Sequence, residues 1–332
     1  MDGIATVVKH TGSHYLLAQL PSWELFPAVL RGKVRLKGST ATNPVAVGDR
    51  VEFHADGEPL EDGRVPASES APAAITTILP RRNYIIRKSV NLSRQAHIIA
   101  ANLDRAFIVV TLAFPEVKLP FIDRLLVTCE VYGVKPVIVL NKMDIVDEFP
   151  DEFASQLENF HRIYESAGYR VLEVSAKTLR GVDELRELCL EPSEDGTPGV
   201  SLFSGVSGVG KSSLIKAIDP SLNPRTGEIS EAHLQGRHTT TFYEMYPLCG
   251  GEACIVDTPG IRGFGLVDLE PEEISLYFPE MLKASADCRF TPCTHTHEPG
   301  CAVKAAVEDG TICPERYASY LGMLEEYTKY RK

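Results

Sequence analysis

A chain of 332 residues, 44% apolar and 24% charged, is too long for one small domain and has the composition of an ordinary globular protein with two or three. Its net charge of −11 is uneven: residues 1–100 hold 12 Lys/Arg against 9 Asp/Glu and the rest 22 against 36, so the acidity does not exclude RNA as a partner of the N-terminal third. No apolar run approaches the roughly 20 residues of a membrane span and Met1-Asp-Gly-Ile4 lacks signal-peptide character, so the expectation is a cytoplasmic protein with no membrane partner.

Residues 1–70 read as short strands at Ile4 to His10, Tyr15 to Gln19, Pro27 to Leu36 and Arg50 to His54, with no helical period. Strands this short predict a small barrel, for which the OB-fold is the best candidate. In the third strand, Arg31, Lys33, Arg35 and Lys37 alternate with Gly32, Val34, Leu36 and Gly38, and period two places the four cations on one face. Such a row suits a nucleic-acid backbone; a solvated surface strand is the common alternative. Residues 56–74, rich in turn formers and acids, read as a long loop. Arg81, Arg82, Arg87, Lys88 and Arg94 then extend the basic character.

From about residue 100 strands and helices alternate. Strands read at Arg105 to Thr111, Pro136 to Leu140, Arg170 to Val174 and Val200 to Phe203, and helices at Phe121 to Tyr132, Pro150 to Ala167 and Val182 to Leu190. This alternation predicts a mainly parallel sheet covered by helices. Phe242 to Leu248 and Ala253 to Val256 add a hairpin through Gly250-Gly251. Beyond residue 266, Pro271 to Phe278 and Pro314 to Tyr330 read as helices around a Cys/His cluster. That tail is too short for a sizeable core, so a metal staple makes physical sense. The expected fold class is multidomain α/β: a β-barrel over 1–75, a P-loop domain over 76–266 and a small helical metal-binding domain over 267–332.

The chemistry centres on Gly205-Val206-Ser207-Gly208-Val209-Gly210-Lys211-Ser212, which fits G-x-x-x-x-G-K-[ST] between a strand ending at Phe203 and a helix opening at Ser213. Glycines let backbone N–H groups close around phosphate oxygens, the helix N-terminus adds its positive end, and Lys211 neutralises the β/γ-phosphates. Ser212 is placed to put its hydroxyl on Mg²⁺.

Asn141-Lys142-Met143-Asp144 follows an apolar strand. An aspartate there accepts from guanine N1–H and N2–H₂, a donor pair adenine does not present, so ATP would leave the carboxylate unpaired. Asn141 would support the loop and the Lys142 stem would lie along the base, while Ser175-Ala176-Lys177, ending the next strand, offers a backbone N–H to guanine O6. Asp257-Thr-Pro-Gly260 also ends a strand: the aspartate would hold Mg²⁺ through water and the Gly260 N–H would meet the γ-phosphate. Between them, the polar segment Gly236-Arg-His-Thr-Thr-Thr241 could supply a Mg²⁺-binding threonine, Thr240 first; a plain surface loop is the alternative.

These motifs run base, base, P-loop, switch, D-x-x-G, whereas the usual order begins with the P-loop. A circular permutation accounts for this, the old termini being joined through residues 191–199. The permuted order, the P-loop wording, Gly236-Arg-His-Thr-Thr-Thr241 and the Cys/His tail together resemble the circularly permuted GTPase family RsgA, also called YjeQ, over essentially the whole chain.

The resemblance implies a monomeric GTPase binding GTP/GDP with Mg²⁺ that matures the small (30S) ribosomal subunit and contacts its rRNA. After D-x-x-G stands Ile261, which cannot orient water. The nearest candidate is His238 in the switch segment, and the resemblance points to the same residue; a surface histidine is the alternative. In the tail, Cys288, Cys293, Cys301 and one imidazole make a closed structural zinc set. The family's C-T-H favours His295 over His297 as the fourth ligand, with Cys313 as runner-up. Two other classes of reading are an RNA-binding scaffold that GTP merely props, and a P-loop kinase or ATPase.

Overall fold

The computed structural model describes residues 1–11, 13–31, 44–88, 96–222, 243–257 and 269–330. Alternating apolar residues close the N-terminal strands on themselves. Strands β1 (Asp2–Thr11), β2 (His14–Gln19), β3 (Glu24–Leu30), β4 (Arg50–His54) and β5 (Ala73–Ile78) pair in the order β1-β2-β3-β5-β4, and β4 returns to β1. All contacts are antiparallel except β3 with β5. This is a five-stranded barrel of OB-fold type. Its interior holds Val7, Leu17, Phe26, Val51, Phe53 and Ile75, with the Phe26 and Phe53 rings 4.8 Å apart.

β5 corrects two sequence readings. It begins inside the expected loop 56–74 and crosses the expected boundary at 75, its last register being Val51 with Ile78. The run Ile75-Thr-Thr-Ile78 is β-branched throughout and supplies the closing strand. β3 runs from Glu24 to Leu30, and residues 32–36 of the expected strand lie outside the described residues. Arg31 is exposed beyond it, and Lys33, Arg35 and Lys37 lie outside the described residues.

A short antiparallel pair, β6 (Tyr84–Lys88) and β7 (Ala96–Ala101), follows the barrel and was not foreseen from the sequence. It fits closely against the barrel: a Cβ on Gly48 (φ 87°) would lie 2.1 Å from the Ala101 carbonyl oxygen. Glycine is the residue this approach admits.

The nucleotide-domain sheet contains β8 (Arg105–Val110), β9 (Lys135–Leu140), β10 (Val171–Glu173), β11 (Gly199–Ser204), β12 (Glu244–Leu248) and β13 (Ala253–Asp257). Their spatial order is β10-β9-β8-β11-β13-β12, parallel except for β12. β8 and β11 are buried along their whole length, as strands covered on both faces must be. Helices α1 (Leu119–Tyr132), α2 (Met143–Glu148), α3 (Pro150–Glu165), α4 (Val182–Leu190) and α5 (Lys211–Ile218) connect them. Gly133 stops α1 in the left-handed conformation, φ 65°.

The permutation joint is hydrogen-bonded from both sides. Asp104 Oδ2 accepts from the Val200 N–H at 2.7 Å and the Ser193 hydroxyl at 2.5 Å, and Arg105 pairs with the Glu191 carboxylate at 2.5 Å. At the far edge β12 pairs with β1 at Glu244 and Lys9, whose side chains form a 2.9 Å ion pair. The two domains therefore share one sheet of eleven strands among the described residues.

After a 3-10 segment (Pro271–Tyr277), helices α6 (Pro279–Ser285), α7 (Ala302–Glu308) and α8 (Pro314–Tyr330) form the tail. A small core of Ile274, Phe278, Met281, Val303, Ile312 and Tyr320 packs on Val127 of α1. The Arg316 guanidinium is fully buried between Asp123 Oδ1 at 2.7 Å and Glu280 Oε1 at 2.8 Å, and lies 4.6 Å from the Phe278 ring centroid. Removing the cation strands two carboxylates out of water. Arg316→Met is expected to lower the unfolding free energy by about 3–5 kcal/mol, read as a lower urea midpoint, whereas Arg170→Met, at the exposed pair with Glu184, changes it by under about 1 kcal/mol.

Candidate functional site

The carboxyl ends of β8, β9, β10, β11 and β13 open on one edge of the sheet, where ligands of parallel α/β folds bind. β11 delivers Ser204, whose side chain is buried, into the loop Gly205–Gly210, and α5 starts at Lys211. Two glycines are required by contact. A Cβ on Gly205 (φ 151°) would lie 2.3 Å from the Val109 carbonyl oxygen, and one on Gly210 (φ 94°) 2.4 Å from Asn141 Nδ2. The N-cap residue of α5 is Gly210, which brings no side-chain cap, and a helix N-terminus attracts an anion. Lys211 Nζ folds over the loop and donates to the Gly205 and Val206 carbonyls at 2.7 and 3.0 Å. Val209 is buried, Ser212 half-buried, and Ser207, Gly208 and Ser213 are exposed.

Asn141 joins three loops. Its backbone N–H donates to the Val110 carbonyl at 2.8 Å. Its Nδ2 donates to the Val209 carbonyl of the P-loop at 2.7 Å, and its Oδ1 accepts from the Ala176 N–H at 3.3 Å. Lys142 follows in the left-handed region (φ 67°), and its Nζ donates to the Phe114 carbonyl. The Met143 side chain is buried beneath, its N–H on the Val174 carbonyl at 3.1 Å. Asp144, in the first turn of α2, accepts from the Ser175 hydroxyl at 2.7 Å and has Lys177 Nζ 3.5 Å away. Ser175 Oγ in turn accepts from the Thr178 N–H at 3.2 Å, which fixes the serine and through it the carboxylate.

The backbone of Asp257 ends β13 opposite Phe203 and Glu244. Its side chain is outside the described residues, as are Gly260, Ile261 and the segment 236–241 with His238 and Thr240. The sequence reading also missed the loop between β8 and α1, which Lys142 holds through the Phe114 carbonyl. Its signal was position: Phe114-Pro115 follows a strand that ends at the same edge.

In the tail, Cys288, Cys293, His295 and Cys301 bring their donor atoms within 4.8 Å of one another. Cys288 Sγ is 3.7 Å from His295 Nδ1 and 4.0 Å from Cys301 Sγ, and His295 Nδ1 is 3.4 Å from Cys301 Sγ. A tetrahedral zinc site has donor–donor edges of about 3.5–3.8 Å, so the set fits one. Burial, with the Cys301 and Cys288 sulfurs, pushes the Cys293 thiol up to about 12; a cation at the centre reverses that balance. Tyr317 and Tyr320 hold the loop by donating to the His295 and Thr294 carbonyls, both at 2.6 Å. His297 is exposed and outside the set. Cys313 lies apart, against α3, with Arg162 Nη1 at 3.1 Å and Ser166 Oγ at 3.3 Å.

Two outcomes follow from these contacts. Gly210→Ala forces a Cβ onto the Asn141 amide from a left-handed backbone and is expected to destabilise the fold by about 1–3 kcal/mol, seen by thermal unfolding. Cys301→Ser removes bound metal in elemental analysis of the purified chain, whereas Cys313→Ser keeps it.

The family model described as RsgA GTPase matches residues 78–267. Relatives named small ribosomal subunit biogenesis GTPase RsgA include one from Bacteroides fragilis, 47% identical over 98% of this chain and 98% of its own. Another, from Flavobacterium johnsoniae, is 46% identical over 96% of this chain and 92% of its own. Among solved structures, YjeQ from Thermotoga maritima is 32% identical with a TM-score of 0.72, covering 98% of both chains. YloQ, titled a circularly permuted GTPase, is 25% identical with a TM-score of 0.69, covering 100% of this chain and 96% of its own. With the motifs in permuted order on a permuted sheet, the chain belongs to the RsgA GTPase family.

Proposed function

We propose that this chain is a GTPase that binds the small ribosomal subunit and its rRNA during late maturation and hydrolyses GTP to GDP and phosphate. The names of its relatives support the ribosomal setting. The observation that carries the nucleotide reading is the Asn141 carboxamide, which binds the phosphate loop and the two base-reading loops into one body. Asp144, held by Ser175, is the acceptor for guanine N1–H and N2–H₂, and the Ser175-Ala176-Lys177 loop would offer a backbone N–H to O6.

In this reading Gly205 to Ser213 wrap the phosphates and Lys211 exchanges its two carbonyl partners for phosphate oxygens. Ser212, Asp257 and Thr240 would hold Mg²⁺, which supplies positive charge to the β- and γ-phosphates. The Gly260 N–H meets the γ-phosphate and His238 orients the attacking water, in a chain whose Ile261 cannot. Free enzyme is then slow, and the subunit accelerates it by acting on the His238 segment. Zn²⁺ on Cys288, Cys293, His295 and Cys301 is structural, since four protein donors leave no open position. Arg31, Lys33, Arg35 and Lys37 are the cations offered to rRNA, and the protein acts as a monomer in the cytoplasm. Among the described residues no helix is long and apolar enough to cross a membrane.

Multiple-turnover phosphate release, with and without small subunits, tests the proposal. Slow release alone and at least tenfold faster release with subunits is expected; no turnover in either condition would leave a GTP-binding scaffold instead. His238→Ala should bind GTP normally and lose the stimulated rate. Asp144→Asn turns one acceptor into a donor, which suits a base with oxygen at C2. It should lose guanine affinity by at least about a hundredfold and gain affinity for xanthosine diphosphate in competition binding.

A further inference from the structure

At 74%, Phe114 is the most exposed large apolar side chain among the described residues. Its backbone stands in the left-handed region, φ 52°, where a bulky residue is an outlier that its surroundings must hold in place. Those surroundings belong to the nucleotide site. Lys142 Nζ donates to the Phe114 carbonyl. Pro115 Cδ is 3.5 Å from where a Cβ of Gly208 would lie, so the segment abuts the P-loop. Thr111 closes the turn, its hydroxyl donating to the Pro115 carbonyl and its carbonyl accepting from the Val117 N–H at 3.1 Å. A strained backbone, anchored to both nucleotide loops, therefore presents a bare ring at the mouth of the site.

We infer that Phe114 is a nucleoside-contacting residue, its ring lying against the purine–ribose end of the bound nucleotide and shielding it from water. The inference rests on the nucleotide reading proposed above and adds a wall to it. The Lys142 stem reaches from the base-reading loop to the Phe114 carbonyl, which ties the Phe114 backbone to that loop. Every purine has a π-face, so a ring of this kind contributes affinity without telling guanine from adenine. Discrimination stays with Asp144, and Phe114 sets how long the nucleotide remains.

The test is calorimetric titration of the full chain with GDP, ADP and their competitors, together with indole fluorescence. Phe114→Ala should raise the GDP Kd about tenfold, the scale of one aromatic–base contact, through faster release. The ratio of GDP to ADP affinity should not change, and Phe114→Tyr should restore binding to within about twofold. Phe114→Trp adds a second indole to the single Trp23 of the chain, and its emission should fall on adding GDP beyond any change in the unsubstituted protein. If the unsubstituted chain binds GDP, Phe114→Ala binds it equally and Phe114→Trp shows no quench, the contact is overturned alone. A weakened Phe114→Ala that Phe114→Tyr does not restore, with no quench in Phe114→Trp, means the loop is only structural and also overturns it. Failure of the unsubstituted chain to bind GDP overturns the nucleotide reading and this inference together.

Discussion

One buried carboxamide holds the nucleotide site together. Asn141 is almost wholly removed from water, and both ends of its amide have partners on other loops. Losing it would leave the Val209 carbonyl and the Ala176 N–H unmatched in the interior, a cost of about 1–3 kcal/mol for each group. The interaction depends on a residue that is absent: only with no Cβ on Gly210 can the Asn141 amide come so near the phosphate loop. Asp144, one turn of chain beyond, inherits its position from this node and from Ser175.

The contact is indifferent to the order in which the loops were made. Asn141 precedes Val209 by 68 residues, the reverse of the usual order, yet β8, β9 and β11 lie side by side as any parallel nucleotide-binding sheet requires. What the permutation demands is a sound joint, and the Asp104 and Arg105 contacts with residues 191–200 provide it. At the other end Arg316 ties the tail to Asp123 of α1 through a fully buried ion pair. α1 thereby links the Phe114 loop at its start to the cysteine-rich tail along its side.

The parts legible in the sequence were those where chemistry restricts residue choice. The glycines of the P-loop, Asn141 with Asp144, and the crowded cysteines each answer to a geometric demand that few residues meet. Strands with strong alternation or continuous apolar runs, such as β8 and β9, were equally plain. β5 and β7 were hidden because each gains its order from a partner distant in sequence: β3 and β4 for β5, and the barrel's Gly48 segment for β7. Cys313 could not be separated from the other cysteines by spacing. Only the fold sets it against Arg162 and Ser166. Phe114 carried no motif at all, and its role follows from which carbonyl Lys142 reaches.

The shared sheet has a consequence for how the protein is divided. β12 lies between β13 and β1, so one of its two edges is covered only by the barrel. Cutting the chain between barrel and nucleotide domain would free that edge, with unpaired backbone groups beside an apolar sheet, and such edges recruit strands from other molecules. The barrel thus stands, at Lys9 opposite Glu244, where a further strand would have to begin its pairing with the nucleotide-binding sheet.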